Sequence, residues 1–298
     1  MIEIVIVSGK GGTGKTTVAS SFALLAKSKG YSLVVADTDV DAPNLALLVS
    51  GEIVNRKTVQ VSEKAFIDRD ACVSCGKCMD VCKFDAVRRD GEDYIINRLY
   101  CEGCGLCQVV CPADAIEIKP VDNGEITTLK ANDGFTLVTG HLMIGETGSG
   151  KIVSEVKEEA RRLAAEVDAD LLVVDGPPGS GCAAIASISG ANYVVTVTEP
   201  TMAARHDVDR MISVVKHFGI PFGVVINKHD IFPEMTSQLK EYTREVGGVL
   251  LGEIPADENV VHAVVNNRSV VEYAPSSPAS KALAKIFDAL IETINSGG

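Results

Sequence analysis

Eight of the nine cysteines fall in two copies of one spacing, Cys72-x2-Cys75-x2-Cys78-x3-Cys82 and Cys101-x2-Cys104-x2-Cys107-x3-Cys111, offset by 29 residues. Two-residue gaps let three thiolates from one tight loop meet three corners of an iron–sulfur cube, and this run is the bacterial iron–sulfur spacing. The copies agree beyond the sulfurs. Cys82-x-x-Asp85-Ala86-Val87 recurs as Cys111-x-x-Asp114-Ala115-Ile116, and Gly76 as Gly105. That is an internal duplication. Disulfides would suit a secreted chain, and nothing here looks secreted; zinc would not account for two identical four-sulfur runs.

The duplicated stretch resembles the bacterial-type ferredoxin domain. In two-cluster ferredoxins the fourth cysteine of each run ligates the other cluster. The resemblance therefore implies one [4Fe–4S] cluster on Cys72, Cys75, Cys78 and Cys111, and a second on Cys101, Cys104, Cys107 and Cys82. One departure is visible. Pro112 follows the second run as the pattern asks, but Lys83 replaces it after the first, which loosens a turn without removing a ligand.

A second set of residues is suited to phosphate. After an apolar strand ending near Val7, Gly9-Lys10-Gly11-Gly12-Thr13-Gly14-Lys15-Thr16 fits G-x4-G-K-[ST], with Thr17 next. Glycines let backbone N–H groups approach and wrap phosphate oxygens. Lys15 is expected at the β/γ-phosphates of ATP and the Thr16 hydroxyl on Mg²⁺. A helix over residues 16–29 points its positive end at the anion. Leu33-Val34-Val35-Ala36 reads as a buried strand delivering Asp37, Asp39 and Asp41. Leu171-Leu172-Val173-Val174 delivers Asp175, and Gly176-Pro177-Pro178-Gly179 follows as a mobile switch. Carboxylates at strand C-termini sit beside the phosphates in a doubly wound sheet.

With its extra lysine, Lys10, this loop resembles the deviant Walker A of the MinD/Mrp/ParA/nitrogenase-iron-protein superfamily. That resemblance implies an ATP-sandwich homodimer in which Lys10 reaches the partner's nucleotide. The Mrp-like pattern aligns Asp37 and Asp39 with the acidic switch pair, and the nitrogenase iron protein pattern aligns Asp37 and Asp41. Asp39 leads for positioning the attacking water. The resemblance also implies that Asn227, in Val225-Ile226-Asn227-Lys228, reads adenine and that the Pro255 loop closes over it. An asparagine at a strand end is equally an ordinary turn residue. Cys182 stands seven residues after Asp175, where the nitrogenase iron protein carries a ligand of its intersubunit cluster. A second such cysteine is missing, so the alternatives are a thiolate shared across a dimer and a small buried residue.

The elements that must hold these groups alternate as strands and helices: strands over 193–197, 222–226 and 249–251, and helices over 201–218, 233–245 and 279–294. The last carries an apolar stripe at Leu283, Ile286, Phe287, Leu290, Ile291 and Ile294. Its lysines are balanced by acids, so it reads as packed on the core. The fold class expected is α/β: a doubly wound, mostly parallel, MinD-like P-loop domain over 1–60 and 121–298, with a small α+β ferredoxin domain inserted at 61–120. A second glycine-rich run, Gly145-Glu146-Thr147-Gly148-Ser149-Gly150-Lys151, has Ile152 where a metal-binding hydroxyl is needed. It reads as a loop opening a helix over 152–167.

Net charge is −12 and the pI is near 4.9, which argues against a nucleic-acid partner. No apolar run approaches the roughly 18 residues of a membrane span, and no signal peptide is visible, so a cytoplasmic, non-inserted protein is expected. The expected activity is Mg²⁺-dependent ATP hydrolysis in a homodimer coupled to two [4Fe–4S] clusters. Its preferred purpose is ATP-gated electron delivery to a redox partner. A carrier or assembly role for iron–sulfur or metal cofactors is the alternative, and spatial positioning of the MinD/ParA kind a third.

Overall fold

The computed structural model describes residues 1–296 apart from Ile144 and Thr147. β1 (Ile2–Ser8) is buried from Glu3 onward, as a strand covered on both faces must be. α1 (Lys15–Ser28) starts on Gly14, whose φ of 94° few other residues adopt. β2 (Leu33–Asp37), the short α2 (Leu45–Leu48) and β3 (Gly51–Val59) follow. The cysteine-bearing stretch then contributes β4 (Ser62–Ile67), α3 (Lys77–Val81), β5 (Val87–Asp90), β6 (Asp93–Ile96), α4 (Leu106–Val109) and β7 (Ile116–Val121). β8 (Gly124–Ala131) and β9 (Thr136–Leu142) lead to α5 (Ser149–Glu166). Beyond these, β10 (Leu171–Pro178), α6 (Cys182–Ile188), β11 (Tyr193–Thr198), α7 (Met202–His217), β12 (Phe222–Asn227), α8 (Pro233–Glu245) and β13 (Val249–Ile254) alternate strictly. The chain closes with α9 (Glu258–Val265), α10 (Val270–Tyr273) and α11 (Pro278–Ser296).

The main sheet runs β13-β12-β11-β1-β10-β2-β9-β8-β3. Neighbours from β13 to β9 pair in parallel. β1 stands where the chain's progression reverses, with β2 to one side and β11 to the other, the switch point at which doubly wound sheets bind ligands. Among the described residues no helix is long and apolar enough to cross a membrane.

Two compact units emerge. One comprises Met1–Arg56, Ile126–His141 and the chain from Ser149 on; the other comprises Lys57–Glu125 and Leu142–Gly148. The first has a large apolar core in which α1 and α11 meet over the sheet, Phe22 and Phe287 edge to face at 5.5 Å. Leu283, Ile286, Phe287 and Leu290 of α11 are buried there, with Ile291 and Ile294 at its margin. The second holds two small antiparallel pairs, β4 with β7 and β5 with β6. Around the cysteines Ala65, Ala86, Val87 and Ile116 pack together with Cys78 and Cys101 among them.

Several boundaries differ from the sequence reading; the inserted unit, expected over 61–120, runs from Lys57 to Glu125. α5 begins at Ser149 and not at 152, so Gly150 and Lys151 lie inside its first turn instead of in the loop ahead of it. Residues Leu142–Gly148 belong with the cysteine unit. Thr147 of that glycine-rich run lies outside the described residues.

Candidate functional site

At the C-terminal end of β1 the phosphate loop borders a cleft of about 850 Å³, a size suited to a nucleotide. Gly11, Gly12, Gly14, Lys15, Thr16 and Thr17 line it from the loop, Asp39 and Asp41 from the segment after β2, and Pro177 and Pro178 from the end of β10. Gly14 is doubly constrained: besides its left-handed φ, a Cβ there would lie 2.4 Å from Asn227 Nδ2. Thr13 has a buried hydroxyl without a hydrogen-bond partner.

The acids divide by depth. Asp37 is fully buried, and its oxygens accept from the N–H groups of Asp39 at 3.1 Å and Leu45 at 3.0 Å. It shapes the turn that presents Asp39. Burial, then the Asp175 charge, pushes its carboxyl well above the usual range. Asp39 lies 3.7 Å from Lys15 Nζ; burial raises its carboxyl while Lys15 pulls it down. Asp41 is exposed. Asp175 is buried, and burial pushes it up to about 6 against the opposing pull of Lys15 and the Thr16 hydroxyl. Its Oδ1 has no hydrogen-bond partner. A buried carboxylate oxygen left over beside a threonine hydroxyl is a donor set that fits Mg²⁺, a hard cation taking few protein oxygens.

The two acidic segments are tied together. Thr38 donates its N–H to Asp175 O at 2.8 Å, and its Oγ1 contacts Asp175 O and Ser187 Oγ of α6 at 2.9 Å each. Pro177 and Pro178, expected as loop, extend β10 because β1 continues alongside to Ser8, across an irregularity in the register.

Lys10 pairs with Glu199 at 2.6 Å within its own chain. Asn227 donates Nδ2 to Thr13 O at 2.9 Å and accepts from Lys228 N at 3.0 Å. Neither it nor Pro255 lines the cleft, whereas Leu47, Leu48, Val264 and Asn267 do. Sequence reasoning missed those four, which no motif marks. It also missed Glu199, which the strand-end rule could have found directly after β11. Cys182 opens α6 and is exposed, not a small buried residue; a Cβ on Gly150 would stand 3.3 Å from it.

In the cysteine unit the thiols sort into two quartets. Cys72, Cys75, Cys78 and Cys111 line one small cavity with Ile67 and Tyr94. Cys101, Cys104, Cys107 and Cys82 line the other with Ala65 and Ile96. The duplication is visible in the backbone: Gly76 and Gly105 have φ of 77° and 76°, and Asp85 and Asp114 have 51° and 50°. Backbone N–H groups face the sulfurs, Ala65 toward Cys101 Sγ at 3.4 Å and Ala115 toward Cys111 Sγ at 3.3 Å. Burial raises the Cys78 and Cys107 thiols. At Cys82 burial also opposes ionisation, but the N–H groups of Phe84, Ala86 and Val87 outweigh it and lower the thiol. Among the described residues no three His, Cys, Asp or Glu side chains converge on a point where a single metal ion would sit. Four thiols around a cavity, with amide donors on the sulfurs, fit a multi-atom cluster better than one ion.

Comparison with known proteins defines the class. Residues 4–270 match the CobQ/CobB/MinD/ParA nucleotide binding domain. The chain belongs to that family of P-loop NTPases. An uncharacterised protein of Methanocaldococcus jannaschii is 38% identical over 229 residues, 76% of this chain and 78% of that one. An iron-sulfur cluster carrier protein of Pyrococcus abyssi is 23% identical over 309 residues, covering 98% of this chain and 86% of the relative. Among solved structures, the septum site-determining protein MinD of Pyrococcus horikoshii, complexed with Mg-ADP, superposes with a TM-score of 0.60 at 18% identity, covering 100% of this chain and 98% of that one. The fold is therefore that of MinD.

Proposed function

We propose that the chain is a Mg²⁺-dependent ATPase whose nucleotide-bound homodimer gates electron delivery through two [4Fe–4S] clusters to a redox partner. The observation that carries this reading is the sorting of eight cysteines into two quartets, each three from one loop plus the remote fourth of the other run, on a chain that also holds a complete phosphate loop. Eight dedicated thiolates make fully ligated clusters, which suits electron transfer better than release of iron.

In the ATPase the loop N–H groups and Lys15 bind the β/γ-phosphates and stabilise charge that builds on them in the transition state. Thr16 and Asp175 Oδ1 would hold Mg²⁺, which neutralises phosphate charge when bound. Asp39, already within reach of Lys15, accepts a hydrogen bond from the attacking water. Asp37 holds Asp39, and Asp41 stands at the cleft's rim. Lys10 would leave Glu199 for the nucleotide of the second copy. Asn227 and Pro255 would meet the adenine, with Asn227 also bracing the loop at Thr13. The clusters would be held as assigned, and each supplies a one-electron couple.

Anaerobically purified protein should contain about eight irons and eight sulfides per chain and should pass electrons to an acceptor protein only while ATP is hydrolysed. Stoichiometric iron with ATP-independent electron transfer contradicts the gating. The carrier reading is kept because the Pyrococcus abyssi relative is named an iron-sulfur cluster carrier protein. It predicts instead that iron leaves the chain for an apo-acceptor on ATP addition. Cys182 is a ligand only under that reading, shared across the dimer, and its exposure at the start of α6 is compatible with it.

A further inference from the structure

Lys64 is among the largest fully buried side chains of the molecule. Its Nζ donates to the Cys101 carbonyl at 2.8 Å and lies 3.3 Å from Glu146 Oε2, an ion pair without the geometry of a hydrogen bond. A buried ammonium needs such partners. The next residue, Ala65, directs its N–H at Cys101 Sγ and lines the cavity of the second quartet. The CEGC loop is pressed onto this strand: a Cβ on Gly103 would lie 2.2 Å from Glu63 O. The charge is thus fixed beside the second quartet.

The duplication supplies an internal control. At the offset of 29 residues Ala65 corresponds to Tyr94, which lines the first cavity as Ala65 lines the second. Asp68 corresponds to Asn97, and their carbonyls accept from Cys72 N and Cys101 N at 3.1 Å each. Lys64 corresponds to Asp93, an exposed acid in the β5–β6 hairpin. The halves agree in backbone and part in charge. Lys77 at the first cavity and Glu102 at the second are both exposed, so solvent screens them.

We infer that Lys64 sets the two clusters apart, making the one on Cys101, Cys104, Cys107 and Cys82 the easier to reduce, with Glu146 as the counter-charge that tunes it. This rests on the iron–sulfur reading above. Reduction takes one electron from an external one-electron reductant and adds one negative charge to the cluster. A buried cation nearby stabilises that product, and charge and burial are established controls of cluster potential.

The test is a dithionite titration of anaerobic, iron-replete full-length protein followed by electron paramagnetic resonance, with Cys104→Ser identifying the second cluster's signal. In Lys64→Met the reduced-to-oxidised ratio of the second cluster should fall at least about tenfold at the wild-type midpoint, a downward move of about 59 mV for a one-electron couple. The first cluster should stay within about twofold. Glu146→Gln should move the second cluster the other way by about threefold or more, and it decides the matter alone if Lys64→Met loses iron. Equal movement of both clusters, or none, overturns the inference while leaving the iron–sulfur reading intact. Wild-type protein with fewer than two clusters overturns that reading and this one with it.

Discussion

The nucleotide unit and the cysteine unit solve opposite construction problems. In the first, the functional groups are a thin layer on a large core: Lys15, Asp37 and Asp175 sit at strand and helix ends held by a parallel sheet buried on both faces. In the second, the functional groups are themselves much of the core. Cys78 and Cys101 are buried among a few small apolar side chains, with Cys82, Cys107 and Cys111 packed against them. A core with cysteines in it leaves less apolar surface to offset chain entropy, and under the iron–sulfur proposal metal binding would become part of folding. One site is built on a large preformed core; under the iron–sulfur proposal the other would depend on its clusters for order.

The largest effect should come from the phosphate loop. Lys15→Ala should lower ATP hydrolysis by about 100-fold or more with no change in iron content; loss of iron as well would break the separation between the units. Stripping iron with a chelator should act the other way round. Amide protection measured by hydrogen exchange should collapse over residues 57–125 and persist in β1, β10 and β11, with nucleotide still bound. Uniform loss across the chain would mean that the two units fold as one.

A pH series sharpens the comparison at Asp175. In metal-free protein its carboxyl is raised to about 6 by burial, so the unfolded state releases this proton at lower pH than the native state does. Stability from this group is complete below about pH 4 and is lost as pH climbs to about 6. Asp175→Asn removes the titration. Its melting temperature should match wild type near pH 4 and exceed it above pH 6, by an amount on the order of 3 kcal/mol in stability. Saturating Mg²⁺ and nucleotide should shrink the gap. A gap that narrows with rising pH contradicts the assignment. Smaller still is Asp257→Ala at the start of α9, where the carboxylate accepts from Asn259 N at 2.9 Å and Ala279 N at 3.0 Å. Denaturant unfolding should show a loss of about 1 kcal/mol, confined to the nucleotide unit.

Much of this was legible in the sequence because local rules governed it. The glycine loop between an apolar strand and a helix, and the acids closing Leu33-Val34-Val35-Ala36 and Leu171-Leu172-Val173-Val174, each satisfy a constraint visible within about ten residues. The start of α5 was not legible, since the glycines on either side of Ser149 read as a loop until Gly150 is found packed against Cys182. Nor were Lys64 and Glu146: a lone lysine in a short strand reads as solvated, and only the fold joins positions 82 residues apart. Glu199 is not legible because the loop motif around its partner, Lys10, implies a lysine that reaches outward to a second copy.

The central claim is that nucleotide in one unit is felt by the clusters in the other. The most direct measurement is the reduction potential of both clusters in iron-replete protein, titrated without nucleotide and again with saturating Mg²⁺ and a non-hydrolysable ATP analogue. The account predicts that the analogue displaces at least one potential, and that Lys15→Ala abolishes the displacement. Superimposable titrations in the two conditions would contradict it.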